Sequence, residues 1–173
     1  MEELSKEEIE KIRENPEGVD WNFISEHQRL SEGFIREFSD RIYWFHISYN
    51  QKLSEDFIRE FSDKMNWINV SCNQNLSEGF IREFSDKVYW NYISYNQKLS
   101  EGFIREFSDK LNWINVSISQ NLSEGFIREF YDKVDWKTLY KRDKINKEIF
   151  EKMTGEQKLY MIMNYREIWN KWK

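Results

Sequence analysis

From Gln51 to Asn73 the chain reads Q-K-L-S-E-D-F-I-R-E-F-S-D-K-M-N-W-I-N-V-S-C-N, and the same run returns with few changes from Gln74, Gln97 and Gln120. A tryptophan marks the period, at Trp21, Trp44, Trp67, Trp90, Trp113 and Trp136, spaced by 23 residues every time. A strict period of this length belongs to units that cannot bury their apolar side alone. They must stack on their neighbours to build a continuous core.

One unit reads as two helices. Ser31 is a good N-cap, Glu32 places negative charge on the first turn, and Leu30 and Ile35 stand at the two positions of a hydrophobic staple. Phe34, Phe38 and Ile42 follow with Ile35 beside them, which predicts one apolar stripe on a longer helix running from Leu30 to Ile42. Glu32, Arg36 and Asp40 stand four residues apart, as do Glu37 and Arg41, which predicts ion pairs along that helix and a solvated outer surface. A shorter helix follows around each tryptophan, with Trp44, Ile47 and Gln51 facing inward. The Gln-x-Leu-Ser segment then turns the chain into the next unit. The fold expected is an all-α solenoid of stacked two-helix repeats, long helix plus short helix, elongated and right-handed.

The repeated tryptophans are expected in the core. The repeated glutamines (Gln28, Gln51, Gln74, Gln97 and Gln120) are expected to satisfy backbone groups between stacked units. Gly33, Gly79, Gly102 and Gly125 share a position with Asp56, so close backbone approach is not required there. Residues 1–18 read as an amino-terminal capping helix broken by Asn15-Pro16-Glu17-Gly18, and residues 19–136 as the tandem repeats. Residues 137–173 read as a degraded repeat, with Leu159 in the place of a tryptophan, followed by a closing amphipathic helix that ends basic and carries Trp169 and Trp172.

Composition excludes several function classes. A net charge of -5 and a pI near 5.3 supply no field to hold a polyanion, so nucleic acid is disfavoured as a partner. Cys72 is the single cysteine and has no internal disulfide partner, and the opening M-E-E-L-S-K-E-E lacks the apolar stretch of a signal peptide. No apolar run approaches the ~20 residues of a membrane span. A cytoplasmic, intracellular protein outside the membrane is expected, either a monomer or a weak oligomer.

Function is sought where the units differ. Around the short helix Tyr43, Phe45, His46, Tyr49 and Asn50 alternate with Asn66, Ile68, Asn69, Cys72 and Asn73. The alternation then recurs as Tyr89, Asn91, Tyr92, Tyr95 and Asn96 against Asn112, Ile114, Asn115, Ile118 and Ser119. Rigid aromatics among adaptable amides suit protein-binding surfaces, and solenoids bind along one long face. The partner-binding residues expected are Phe45, His46, Tyr49, Asn50, Asn69, Tyr92, Tyr95, Asn96 and Asn115. The competing reading makes several of these mere filling between units.

Trp90, Ile93, Ser94, Gln97, Leu99, Ser100, Glu101, Phe103, Ile104, Arg105, Glu106, Phe107 and Asp109 carry a resemblance to the short helical repeat proteins of large DNA viruses and phages. It spans Trp21 to Trp136 and breaks at Tyr131, where the other units have Ser, and after Lys137. The resemblance implies an interaction module of viral or phage type that binds and blocks a host defence factor. The absence of alanine fits an AT-rich genome, and the near-identical units fit recent duplication. Enzyme chemistry finds no footing, since His27 and His46 occupy different repeat positions and, with Cys72, show no metal-ligand spacing. No catalytic residue, metal or cofactor is expected. The partner expected is a host or self protein; the alternatives are an acidic nucleic-acid mimic and a solenoid that binds nucleic acid or a small ligand.

Overall fold

A computed structural model describes residues 1–172; Lys173, the end of the expected closing segment, lies outside the described residues, and the side chain of Trp172 is likewise not described. The chain divides into two compact units, Met1–Tyr89 and Trp90–Lys173. In the first, a short strand β1 (Glu2–Glu3) precedes α1 (Lys6–Glu14) and a 3-10 turn at Pro16–Gly18. There follow α2 (Trp21–His27), strand β2 (Gln28–Arg29), α3 (Glu32–Glu37), α4 (Trp44–Asn50), α5 (Glu55–Glu60), α6 (Trp67–Asn73) and α7 (Glu78–Glu83). The second holds α8 (Trp90–Asn96), α9 (Glu101–Glu106), α10 (Trp113–Ser119), α11 (Glu124–Glu129), α12 (Trp136–Lys141), α13 (Lys147–Glu151), α14 (Gly155–Asn164) and α15 (Arg166–Trp172). The tryptophan helices pack in sequence, α2 on α4 on α6 and α8 on α10 on α12. Each unit is thus a stretch of all-α solenoid built from two-helix repeats.

The expected longer helix is cut short. It is helical only over Glu32–Glu37, six residues against seven in the tryptophan helix. Phe38 leaves helical backbone at φ -114° and ψ 28°, and the chain goes on to Ile42 through turn bonds from Arg41 and Ile42 N–H to the Phe38 carbonyl. Ending there frees the Ser39 carbonyl to accept the Trp44 indole N–H at 3.0 Å. The bond recurs from Trp67 to Ser62 and from Trp113 to Ser108. Each tryptophan ring from Trp21 to Trp113 then lies against the two phenylalanines of the next EGFIREF-type segment, Trp44 with centroids 6.3 Å from Phe57 and 4.9 Å from Phe61, whereas Trp136 meets Phe150. Trp21 and Trp136 are buried, whereas Trp44, Trp67, Trp90 and Trp113 are half-buried. The last four carry a lysine over the ring, as Lys64 does on Trp44 at 5.7 Å.

Between neighbouring repeats runs a polar seam. The buried Ser48 hydroxyl donates to the Trp44 carbonyl at 2.7 Å and accepts the Asn66 N–H at 3.0 Å; Ser25, Ser94 and Ser117 do the same in their repeats. The Gln51 side chain, 4% exposed, donates to the Gln28 carbonyl at 2.8 Å and accepts the Leu30 N–H at 3.0 Å. Gln74 and Gln120 repeat both bonds and add a donation to Ser48 and Ser94 carbonyls. Helices of two turns are unstable alone and leave many backbone groups unpaired, and this seam pairs groups that would otherwise be buried without partners. The glutamine role read from the sequence is observed at Gln51, Gln74 and Gln120.

Ion pairs also run between repeats rather than mainly along one helix. Arg36 pairs with Glu60 at 2.7 Å and only loosely with Glu32, at 3.6 Å; Arg41 reaches back to Glu17, and Glu37 to Arg13. The Glu32 carboxylate instead accepts the N–H of Ser54, the N-cap of the next helix, at 2.7 Å. Hydrogen bonds from Arg13, Lys64 and Arg105 hold the carboxyls of Glu37, Asp40 and Glu129 below their ordinary range. These lowered values mean that the pairs stabilise the fold above the carboxylate range and lose that contribution as pH falls through it. Being exposed, each contributes little.

The ends are built differently. Strand β1 pairs in parallel with β2, a strand absent from the sequence reading. Helix α1 carries its own capping box between Ser5 and Glu8, as α14 does between Thr154 and Gln157. In the degraded repeat Arg142 takes over from glutamine, donating to the carbonyls of Ser117 and Gln120. The closing helices join a core with Trp136, Leu139, Ile149 and Phe150 through Met161 and Ile168. Leu159 does not replace a tryptophan: it is exposed, because α14 turns Met161 inward. The seam predicts that Gln51→Ala, which leaves the Leu30 N–H and the Gln28 carbonyl unpaired, destabilises the first unit by about 2 to 4 kcal/mol in urea denaturation. Gly79→Ala, whose added Cβ meets nothing nearer than Ser77 Oγ at 3.8 Å, is expected to be neutral or to stabilise by about 0.5 kcal/mol.

Candidate interaction face

The tryptophan helices bury Trp, Ile or Val, Ser and Gln toward the stack, which leaves the intervening positions for solvent. Helices α4, α6, α8 and α10 contain no charged residue, although a third of the chain is charged. Their outer surfaces are instead aromatic and aliphatic. Phe45 and Tyr49 on α4 are 56% and 54% exposed, and Ile68 on α6 is exposed beside them; in the second unit Tyr92 and Tyr95 on α8 are 39% and 51% exposed, and α10 shows Ile114 and Ile118. His46 is half-buried with its ring edge-on to Phe45 at 5.5 Å.

The expected asparagines divide from the rings. Asn69 is buried and its amide donates to the Phe45 carbonyl at 3.2 Å; Asn50 donates to the Glu26 carbonyl at 3.2 Å, and Asn115 to the Asn91 carbonyl at 3.0 Å. Each bond joins one repeat to the one before it, so these amides hold the surface in place. Asn96 is exposed at the end of α8. Three exposed aromatic residues were not among the sequence candidates: Phe23 on α2, Tyr43 and Tyr89. Phe23 shares its repeat position with His46 and Tyr92, a signal open to inspection of the aligned repeats.

Tyr43 decides how this surface is read. Asp20, Asn66 and Asn112 hold the same position in their repeats, and each accepts the N–H three residues on, Asn66 from Asn69 at 3.0 Å. Tyr43 makes no side-chain cap, and the His46 N–H turns to the Tyr43 carbonyl instead. Its ring stands half in water. An N-cap lost costs about 1 kcal/mol, and half of the ring that stands in its place stays in water. Departures of this kind from local consistency mark function.

The repeated serines of α2, α4, α6, α8 and α10 are fully buried and held in the seam, and among the described residues no three His, Cys, Asp or Glu side chains converge to hold a metal ion. No helix among the described residues is long and apolar enough to cross a membrane. Comparison of the chain with protein-family models, curated proteins and solved structures finds no match. Tyr43→Asn is expected to restore the missing cap and to stabilise the first unit by about 1 kcal/mol, read as a rise in the urea midpoint. An unchanged or lower midpoint would mean that the ring packs usefully.

Proposed function

We propose that the chain is a noncatalytic protein-interaction module whose contacts are made by the uncharged aromatic surface of the tryptophan helices. Phe45, His46, Tyr49, Tyr92 and Tyr95 are the anchors, joined by Tyr43 and Tyr89; Asn50, Asn69 and Asn115 position them, and Asn96 borders them. The observation that carries this reading is the uncapped, exposed Tyr43, at a repeat position where Asn66 and Asn112 supply a cap. Rigid rings bring large contact area at low entropic cost, and interfaces are enriched in them. The resemblance of the repeat to those of large DNA viruses and phages supports a setting inside an infected host cell, with a host defence factor as the protein bound and blocked.

The acidic-mimic alternative draws less support. A phosphate mimic needs carboxylates free to face a basic groove, but Glu37 is engaged by Arg13 of α1, and Glu60 and Glu129 by the arginines of the preceding repeats. Nucleic-acid binding along the aromatic surface would need a basic stripe there, and α4, α6, α8 and α10 carry no charged residue.

A pull-down from nuclease-treated lysates of candidate hosts tests the proposal, comparing wild type with a Tyr49→Ala, Tyr95→Ala variant shown to be folded. The expected result is a protein captured by wild type and lost from the variant, with little dependence on salt. Equal capture by both would move the contact off this surface.

A further inference from the structure

The two ends of the chain carry opposite charge and complementary apolar features. Residues 1–18 hold seven carboxylates against three cations, whereas residues 137–173 hold ten Lys and Arg against five Asp and Glu. On the amino-terminal side, β1 and α1 border a groove of about 500 Å³ lined by Met1, Leu4, Ile9, Leu30 and Phe34, with Glu3, Arg29 and Lys52 on its wall. On the carboxy-terminal side, α14 turns Met161 into the core and leaves Leu159, Ile162 and Met163 exposed at 57%, 37% and 74%. Spaced by three and four residues, these form one stripe on one side of the helix. Met163 also borders a groove of about 550 Å³ with Lys137, Lys141, Arg166 and Lys171 around it.

Nothing in the fold accounts for this stripe. An end repeat needs a polar outer surface to stay soluble, and α14 presents its apolar side chains to water instead. We propose that copies of this chain associate head to tail, the Leu159, Ile162 and Met163 stripe of one copy seating in the amino-terminal groove of the next. The net positive carboxy-terminal segment of one copy then meets the net negative amino-terminal segment of the next. Charge selects this pairing over its rivals, because two carboxy-terminal surfaces repel each other, as do two amino-terminal ones. A contact between two different surfaces grows into a chain of copies unless its rotation closes a ring. The contact uses none of the aromatic anchors, so it multiplies them, and a partner with several epitopes would be held by avidity.

Two variants blocked at opposite ends test this. Leu159→Asp, Met163→Asp spoils the stripe and changes only exposed side chains; Leu4→Asp places a carboxylate in the groove. Circular dichroism establishes that each is folded, and sedimentation velocity follows each from micromolar to millimolar concentration at about 0.05 M and about 0.5 M salt. The wild type is expected to grow beyond a dimer with concentration, less so at high salt. Each variant alone should remain monomeric, and their equal mixture should form a one-to-one dimer and nothing larger, because only one pair of intact surfaces remains. A wild type that stays monomeric throughout overturns the proposal, as does a dimer that stops growing or a stripe variant that associates normally. Sedimentation with phosphatidylserine vesicles by a wild type that does not self-associate, lost in the stripe variant, would also overturn it and assign the stripe to a membrane surface.

Discussion

The hydrogen-bonded seam of serine and glutamine between repeats is the interaction on which the rest depends. A helix of six or seven residues leaves most of its backbone groups without intrahelical partners and cannot hold itself together. Here the partners come from the next repeat. The Gln51 side chain ties the Leu30 N–H to the Gln28 carbonyl, and Ser48 ties the Trp44 carbonyl in the first turn of one tryptophan helix to the start of the next. Neither group is free to move without stranding a buried donor or acceptor, so stacking and helix formation occur together.

The proposed interaction surface is made of what the seam leaves unused. Trp, Ile, Ser and Gln occupy the inward positions of each tryptophan helix, and Asn at 50, 69 and 115 joins the repeats nearer the surface. The remaining positions are released from structural duty. In α6 and α10 they are filled with isoleucine and a capping asparagine; in α4 with phenylalanine and tyrosine and no side-chain cap. The same backbone therefore carries two surface chemistries in alternation. One agrees with helix stability, and the other departs from it in favour of exposed rings.

Much of this was legible in the sequence. The period alone requires stacking, Ser31 and its copies announce the helix starts, and the repeated glutamine in an otherwise apolar set points to a buried amide with backbone partners. Three features were not legible, for physical reasons. The helix ends at Phe38 because the Ser39 carbonyl is needed by the Trp44 indole, a contact that no local propensity encodes. Spacing by four suggests Arg36 with Glu32, yet the closer partner is Glu60, one repeat on, since stacking brings it nearer than the helix turn does. The surface was readable in its rings, because Phe45, Tyr49, Tyr92 and Tyr95 fall at outward positions. It was misread in its amides, because an asparagine beside a carbonyl of the adjacent repeat looks the same in sequence as one facing a partner.

Hydrogen exchange at the seam tests the central claim most directly. The N–H groups of Leu30, Leu53 and Leu99 lie outside every helix and donate to glutamine side chains, and those of Tyr43, Asn66 and Asn112 donate to buried serines. If the seam holds the stack, these amides exchange as slowly as those in the middle of the tryptophan helices and open only when the repeats part. Exchange at the rate of ordinary exposed loops, with the helices still protected, would show that the repeats stack without the seam and would contradict the account.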